Sequence, residues 1–523
     1  MANPVISLQA NHAQKQSSKF VSGIAIVFYL ALVRVVLYLI AAPNYGYFRD
    51  EFYYLACGEH PAWGYVDQPP MIAWMAWLLQ HTIGTSLYAI RLLPMLADVG
   101  AIVMTGVLAR QLGGRRWAMF LSALAVLVGP IFLGLSHLFT MNAFDPLLWV
   151  LLAWLLVKQV DTGNEKLWLW VGLLFGVTLL NKYGIVFLLP GLLVGVLATP
   201  LRKSLAKPWL WAGLALATVV ALPNFLWQRH WNYPFYQLLR NIRRGPRNVM
   251  KPPFPYLWEQ AQMIGIIAAV LVVLGLWFYF SARGRRYALL GWGFIGTLGL
   301  LMALKGKFYY VAPVYPMMFA AGAVCFEQLT ERRWRKLLRT AYPLILLAVA
   351  TLIAPTIIPI LPVKSFITYS NRIGIQQQKF ENQQLGELPQ IYADMYGWEE
   401  RVKIVADYYH ALPPAEQRVT AIGAPDYGQA GAIDFFGPKY GLPKSISDNN
   451  NYWIWGPRDY HGESLILINE DDPDKYREMC QSLTLVACPA NPYSRPDSNR
   501  PIYHCRGLKT DLQQVWPKLK GWN

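Results

Sequence analysis

The chain has 523 residues, is 55% hydrophobic and 15% charged, and carries a formal net charge of +17. So apolar a composition excludes an ordinary soluble domain. Most of the positive charge lies in short loops between apolar runs, as in a membrane protein, so no nucleic-acid partner is expected.

The polar stretch 1–19 carries Lys15 and Lys19. The apolar run that follows is too long for the core of a signal peptide and predicts an uncleaved first span at 20–42. Further spans are predicted at 87–109, 117–135, 143–157, 167–181, 184–200, 208–227, 260–281, 287–304, 308–326 and 340–361, roughly eleven in all. Arg110, Arg115, Arg116, Lys158, Lys166, Arg202, Lys203, Lys207, Arg283, Arg285, Arg286 and the basic run 332–339 fall in loops on the side of the N-terminal tail. The positive-inside rule places that side in the cytoplasm. Loops 43–86, 136–142 and 228–259 then face outward, and an odd number of spans places the C-terminal segment outside as well. The expected organisation is a cytoplasmic tail (1–19), a helical membrane domain (20–361) and a soluble outer α/β domain (362–523).

Within that last segment, 419–422 and 464–468 read as short buried strands and 399–410 as an amphipathic helix. Five cysteines without a CxxC pair show no metal or redox framework. A Cys488–Cys505 disulfide and free thiols are both open readings. Trp453, Trp455 and Tyr460 fit packing better than stacking on sugar rings.

The first outer loop holds the chemistry. Asp50 and Glu51 follow the first span, inside the aromatic stretch 46–54. Adjacent carboxylates at the mouth of a span are costly unless they face water, a partner or a substrate. A carboxylate held there suits a general base that deprotonates an acceptor at the bilayer surface. Helices are predicted at 52–60 and from Pro69-Pro70 through 71–77, lying in the interface. The loop also carries Tyr54, Tyr65, Asp67 and Gln68.

Cations on the outer side break the charge rule and call for an anion such as a lipid phosphate: Arg229, Arg240, Arg243, Arg244, Arg247, Lys251, Lys182, Lys305 and Lys307. Tyr309 and Tyr310, beside two of these lysines, read either as an aromatic belt or as phosphate donors. Asp145 reads either as a helix N-terminal acid or as a member of the same outer site. Asp98 and Arg91 read as an intramembrane pair. No ligand spacing supports a metal at His137 or His230; a divalent ion is left open.

The acidic pair, the nearby tyrosines and the closing motif Gly64-Tyr65-Val66-Asp67-Gln68-Pro69-Pro70 together resemble the bacterial membrane glycosyltransferases of the family 39 type. These are relatives of protein O-mannosyltransferases and of the aminoarabinose transferase of lipid A. Asp145, Asn181-Lys182-Tyr183 and Lys305-Gly306-Lys307-Phe308-Tyr309-Tyr310 resemble further stations of that family, over about residues 20–330. The resemblance implies a GT-C fold in a bacterial inner membrane. It also implies a polyprenyl-phosphate-linked sugar donor, an acceptor hydroxyl on a lipid, glycan or protein, and an inverting reaction at the periplasmic face. Asp50 would be the general base, with Glu51 beside it orienting the acceptor or tuning the base. Some relatives have a lysine before the Pro-Pro pair; Gln68 stands there in this chain. A transporter or flippase for an anionic lipid-linked substrate is the alternative reading, and a non-catalytic scaffold a third.

Overall fold

The computed structural model describes residues 22–245, 251–332, 335–374, 384, 386–470 and 472–522. The tail 1–19 and Arg247 lie outside them. The chain forms two compact units. One comprises Met1–Ala42, Arg91–Leu222 and Met250–Ile360; the other comprises Pro43–Ile90, Pro223–Val249 and Leu361–Asn523.

The first unit is helical. Among the described residues seven helices are long and apolar enough to cross a membrane, or nine if two bent pairs each count as one span. With the shorter apolar helices Arg116–Val128 and Leu167–Asn181, they coincide with the spans expected from hydropathy. Two expected spans are not straight. The pair Pro253–Ile264 and Ile266–Phe280 bends by 107° at Gly265, whose φ of 90° favours a residue without Cβ. The pair Tyr183–Ala198 and Pro200–Ala206 bends by 98° at Thr199, which is extended because proline follows it. Tight helix packing depends on small residues: a Cβ at Gly322 would strike the backbone of Leu271, and one at Gly275 the carbonyl of Met318.

The expected Asp98–Arg91 pair is not formed. Asp98 pairs with Arg34 at 2.5 Å, and both are buried. Arg34 also donates to the Leu127 carbonyl at 2.8 Å. Arg91 instead donates to the Ala42 carbonyl at 2.7 Å and lies 3.2 Å from His137 Nε2. Their shared helix suggested the wrong partner, because a cation on another helix reaches the acid at hydrogen-bond distance.

The second unit contains a four-stranded sheet of order β1-β2-β4-β3. The strands are β1 (Thr420–Gly423), β2 (Ser464–Leu467), β3 (Cys480–Ala487) and β4 (Ile502–Leu508). β1 and β2 are parallel and the other pairings antiparallel. β1 and β2 are buried at every position, which is why their apolar residues are consecutive rather than alternating, while the buried Thr420 and Ser464 hydroxyls bond each other. The expected amphipathic helix is Trp398–Ala411. Cys480 is bonded to Cys505, across neighbouring strands, while Cys488 is free and exposed. The expected Cys488–Cys505 pair is thereby replaced: Cys488 lies just past the end of β3, and Cys480 heads it. Trp453 and Trp516 donate their indole N–H groups to each other's carbonyls, and Trp453 joins the core around Leu465 and Cys505. Its role is packing.

Candidate active site: the acidic helix and the lysine–tyrosine cluster

The first loop folds into the helices Arg49–Glu59 and Met71–Thr82. Helix Arg49–Glu59, the acidic helix, starts because Glu51 reaches back to accept the Phe48 N–H at 2.8 Å, one half of a capping box. Two acids in its first turn also suit the helix dipole. Every residue of it but Asp50 and Glu59 is buried. It is therefore a packed helix and not one lying on the bilayer surface, as expected from its composition. Glu51 has no exposed surface, and its carboxylate serves the helix start.

Asp50 is half-buried. One of its oxygens accepts the Tyr427 hydroxyl at 2.9 Å. Asp67, also half-buried, accepts the Tyr53 hydroxyl at 2.8 Å. Tyr54 lies in the field of both acids. Burial pushes its hydroxyl well above the usual phenol range, and the Asp50 and Asp67 carboxylates add to the effect. Tyr54 thus keeps its proton at neutral pH and remains a hydrogen-bond donor.

The loop is tied down by residues that sequence reasoning did not single out. Asn451 accepts the Val66 N–H at 2.7 Å and lies 3.2 Å from the Tyr53 hydroxyl. Gln228 donates to the Tyr65 carbonyl at 3.0 Å, and Asn224 to the Trp63 carbonyl at 2.8 Å. Tyr65 and Gln68, expected to contact substrate, are fully buried. The Tyr65 hydroxyl accepts the Ala62 N–H and lies 3.0 Å from the Cys57 and His60 carbonyls. Gln68 points its amide at Cys57 Sγ, 3.6 Å away. Both are interior ties of the loop, because their polar groups are aimed at its own backbone and core.

Arg240, Arg243 and Arg244 are exposed on helix Pro234–Arg244 of the same unit. Beside them Tyr236 and Leu239 are also exposed, so this short helix presents apolar and cationic surface together.

The helical unit gathers a second set. Asp145 opens helix Asp145–Thr162 and accepts the Asn181 amide at 2.7 Å. Lys182 follows directly. Its ammonium bonds the Asn142 side-chain oxygen and sits 4.2 Å from the Tyr310 ring centre and 5.9 Å from that of Tyr309. Tyr183, Lys307, Tyr309 and Tyr310 are half-buried. Lys305 is exposed at a turn where its own φ is 53°. Lys251, expected to add to the basic surface, is ion-paired with Glu259. Among the described residues no three His, Cys, Asp or Glu side chains gather to hold a metal ion.

A bundle of membrane helices with an acid-bearing first loop and a small sheet is the GT-C architecture. The family described as dolichyl-phosphate-mannose-protein mannosyltransferase matches residues 67–227. The chain is 28% identical over 371 residues to the lipid A galacturonosyltransferase RgtD of Rhizobium johnstonii, spanning 65% of this chain and 72% of that one. In fold it is similar to the crystal structure of ArnT from Cupriavidus metallidurans bound to undecaprenyl phosphate. The TM-score is 0.59 at 16% identity, covering 91% of this chain and 97% of ArnT. It is also similar to the oligosaccharyltransferase of Archaeoglobus fulgidus, with a TM-score of 0.50 at 12% identity, over 81% of this chain and 63% of that one. The resemblance read from the sequence is supported: the chain is similar to family 39-type membrane glycosyltransferases, and it shares the GT-C fold of the solved structures.

Proposed function

We propose that the chain transfers a sugar from a polyprenyl-phosphate donor to a hydroxyl of an envelope lipid of the lipid A kind, at the periplasmic face of a bacterial inner membrane. The acceptor class is supported by the likeness to a lipid A galacturonosyltransferase. The donor class is supported by the likeness to a transferase bound to undecaprenyl phosphate.

The observation that carries the reading is the setting of Asp50. It is half-buried in a helix whose other residues, Glu59 apart, are packed away, and one of its oxygens accepts the Tyr427 hydroxyl. Asp50 takes the proton of the acceptor hydroxyl as that oxygen forms its bond to the anomeric carbon. The bond from that carbon to the phosphate oxygen breaks, and its electron pair leaves with the lipid phosphate. Direct displacement inverts the anomeric centre and needs no second nucleophile. Glu51 acts through the helix start, by holding Asp50 in place. Within the unit of Asp50, Arg240, Arg243 and Arg244 suit an anionic lipid phosphate; within the helical unit, Lys182, Lys305, Lys307, Tyr309 and Tyr310 offer the same chemistry.

The test is transfer of label from undecaprenyl-phosphate-linked galacturonic acid, aminoarabinose or mannose onto lipid A, in membranes carrying wild type or Asp50→Asn. Wild type should transfer at least one of these sugars, and the variant should lose roughly 100-fold or more of the rate. Equal rates would remove Asp50 from the chemistry.

A further inference from the structure

Asp50 does not act alone in its unit. One partner of its carboxylate comes from far along the chain: Tyr427, whose hydroxyl is 2.9 Å from Asp50 Oδ1. Tyr427 opens helix Tyr427–Phe436, and its position is over-determined. Asp426 caps that helix, accepting the Gly428 and Gln429 N–H groups at 2.7 and 3.0 Å. The Tyr427 N–H donates to Asn449 Oδ1 at 3.2 Å. The Arg49 guanidinium lies 4.6 Å from the centre of the Tyr427 ring and 3.9 Å from the Asp426 carboxylate. The Tyr53 ring lies 4.7 Å from it on a tilted face.

The two helices approach closely because Gly428 and Gly431 face the acidic helix. A Cβ on Gly431 would come within 3.0 Å of the Phe52 carbonyl carbon. Burial alone would push the Asp426 carboxyl up, but the Arg49 guanidinium and the Gln429 and Gly428 N–H groups outweigh it and hold this carboxyl below its ordinary range. Arg49 is thereby committed to Asp426 and to the Tyr427 ring.

We propose that Tyr427 is a positioning residue for Asp50: its phenol fixes one carboxylate oxygen and favours the ionised acid. A side chain of the C-terminal segment thus sets the pH range over which the first-loop base works. The physical reason is that a hydrogen bond to the charged form of a carboxylate stabilises that form, while a neutral donor leaves its charge in place to accept a proton. The other groups around Asp50 are Arg49, Glu51, Tyr53 and Tyr54 on its own helix, Asp67 from the loop, Asp426, and Asp394, whose carbonyl takes the Arg49 N–H at 3.1 Å. Tyr427 is a neutral donor at hydrogen-bond distance, so it can be removed without removing a charge.

This inference rests on Asp50 being the base. The experiment is kcat/KM against pH for the full-length protein in detergent, with an undecaprenyl-phosphate-linked sugar and lipid A. Wild type, Tyr427→Phe, a fluorinated tyrosine at 427 and Asp50→Asn are compared. Tyr427→Phe should move the acid limb up by about one pH unit, so that it is roughly tenfold slower below the limb and near wild type above it. The fluorinated tyrosine, a stronger donor in the same space, should move the limb down; it keeps the test decisive if the phenylalanine variant fails to fold. A uniform loss at all pH values, or an unmoved limb with both variants, would overturn the positioning role while leaving Asp50→Asn inactive. If Asp50→Asn itself retains transfer, the base reading falls first, and the proposal with it.

Discussion

The acids of the two units are held in different ways. In the helical unit Asp98 and Asp145 are buried, and each has one close partner, Arg34 for the first and Asn181 for the second. In the other unit Asp50 and Asp67 are half-buried and take phenol hydroxyls from Tyr427 and Tyr53. A buried acid beside a guanidinium is a structural pair, because each charge compensates for the burial of the other. A phenol answers the hydrogen-bonding need without neutralising the charge. The same residue type thus meets a cation in one place and neutral phenols in the other, and the difference lies in its neighbours.

The largest effect that would break this comparison is at Arg34. Arg34→Met leaves Asp98 buried and uncompensated, and should cost about 3–5 kcal/mol of stability. Combining it with Asp98→Leu should recover most of that loss. Thermal unfolding in detergent reads both; a single variant no worse than the double would end the structural reading of the pair. Next is Gly431→Val. Its side chain would press on the Phe52 backbone and should cost about 1–3 kcal/mol through overpacking. Transfer should fall with it, and a wild-type rate and unfolding temperature would show that the acidic helix does not depend on this approach.

A third change sharpens the contrast from the cationic side. Lys182→Gln keeps a polar group near Asn142 but removes the charge beside Tyr310. Donor turnover should fall roughly 10- to 100-fold with little change in unfolding temperature, since a charge-assisted contact to phosphate is lost. An unaltered donor titration would make Lys182 a fastening like Arg34. The smallest effect is expected for Arg240→Gln, Arg243→Gln and Arg244→Gln together. These side chains are exposed, so solvent and salt screen them. The donor KM should rise about 3- to 10-fold, less at high salt; an unchanged KM would remove them from donor recognition.

Much of the architecture was legible along the chain. The apolar runs marked the helices, and short stretches of consecutive apolar residues marked β1 and β2. The prolines at 69 and 70 marked the start of helix Met71–Thr82. The acidic pair was legible as a candidate, yet its two members could not be told apart. Glu51 lies at the third helical position and turns back to the Phe48 N–H, whereas Asp50, one residue earlier, points elsewhere. The burial of Gln68 and Tyr65 was not legible either: a polar residue in a loop looks exposed along the chain, whereas the Tyr65 hydroxyl meets the loop's own carbonyls and Gln68 Nε2 lies against the Cys57 sulfur.

What the sequence determined by itself is local. It set the helices through hydropathy and proline, the acid-bearing loop through its composition, and the resemblance through a motif seven residues long. Tertiary structure decided the partnerships: Arg34 with Asp98, Cys480 with Cys505, Lys182 with Tyr310, and Tyr427 with Asp50. Tyr427 stands 377 positions from the acid it touches. No periodicity reports such a distance, because hydrogen bonds and ion pairs depend on separation in space, and folding alone sets that separation.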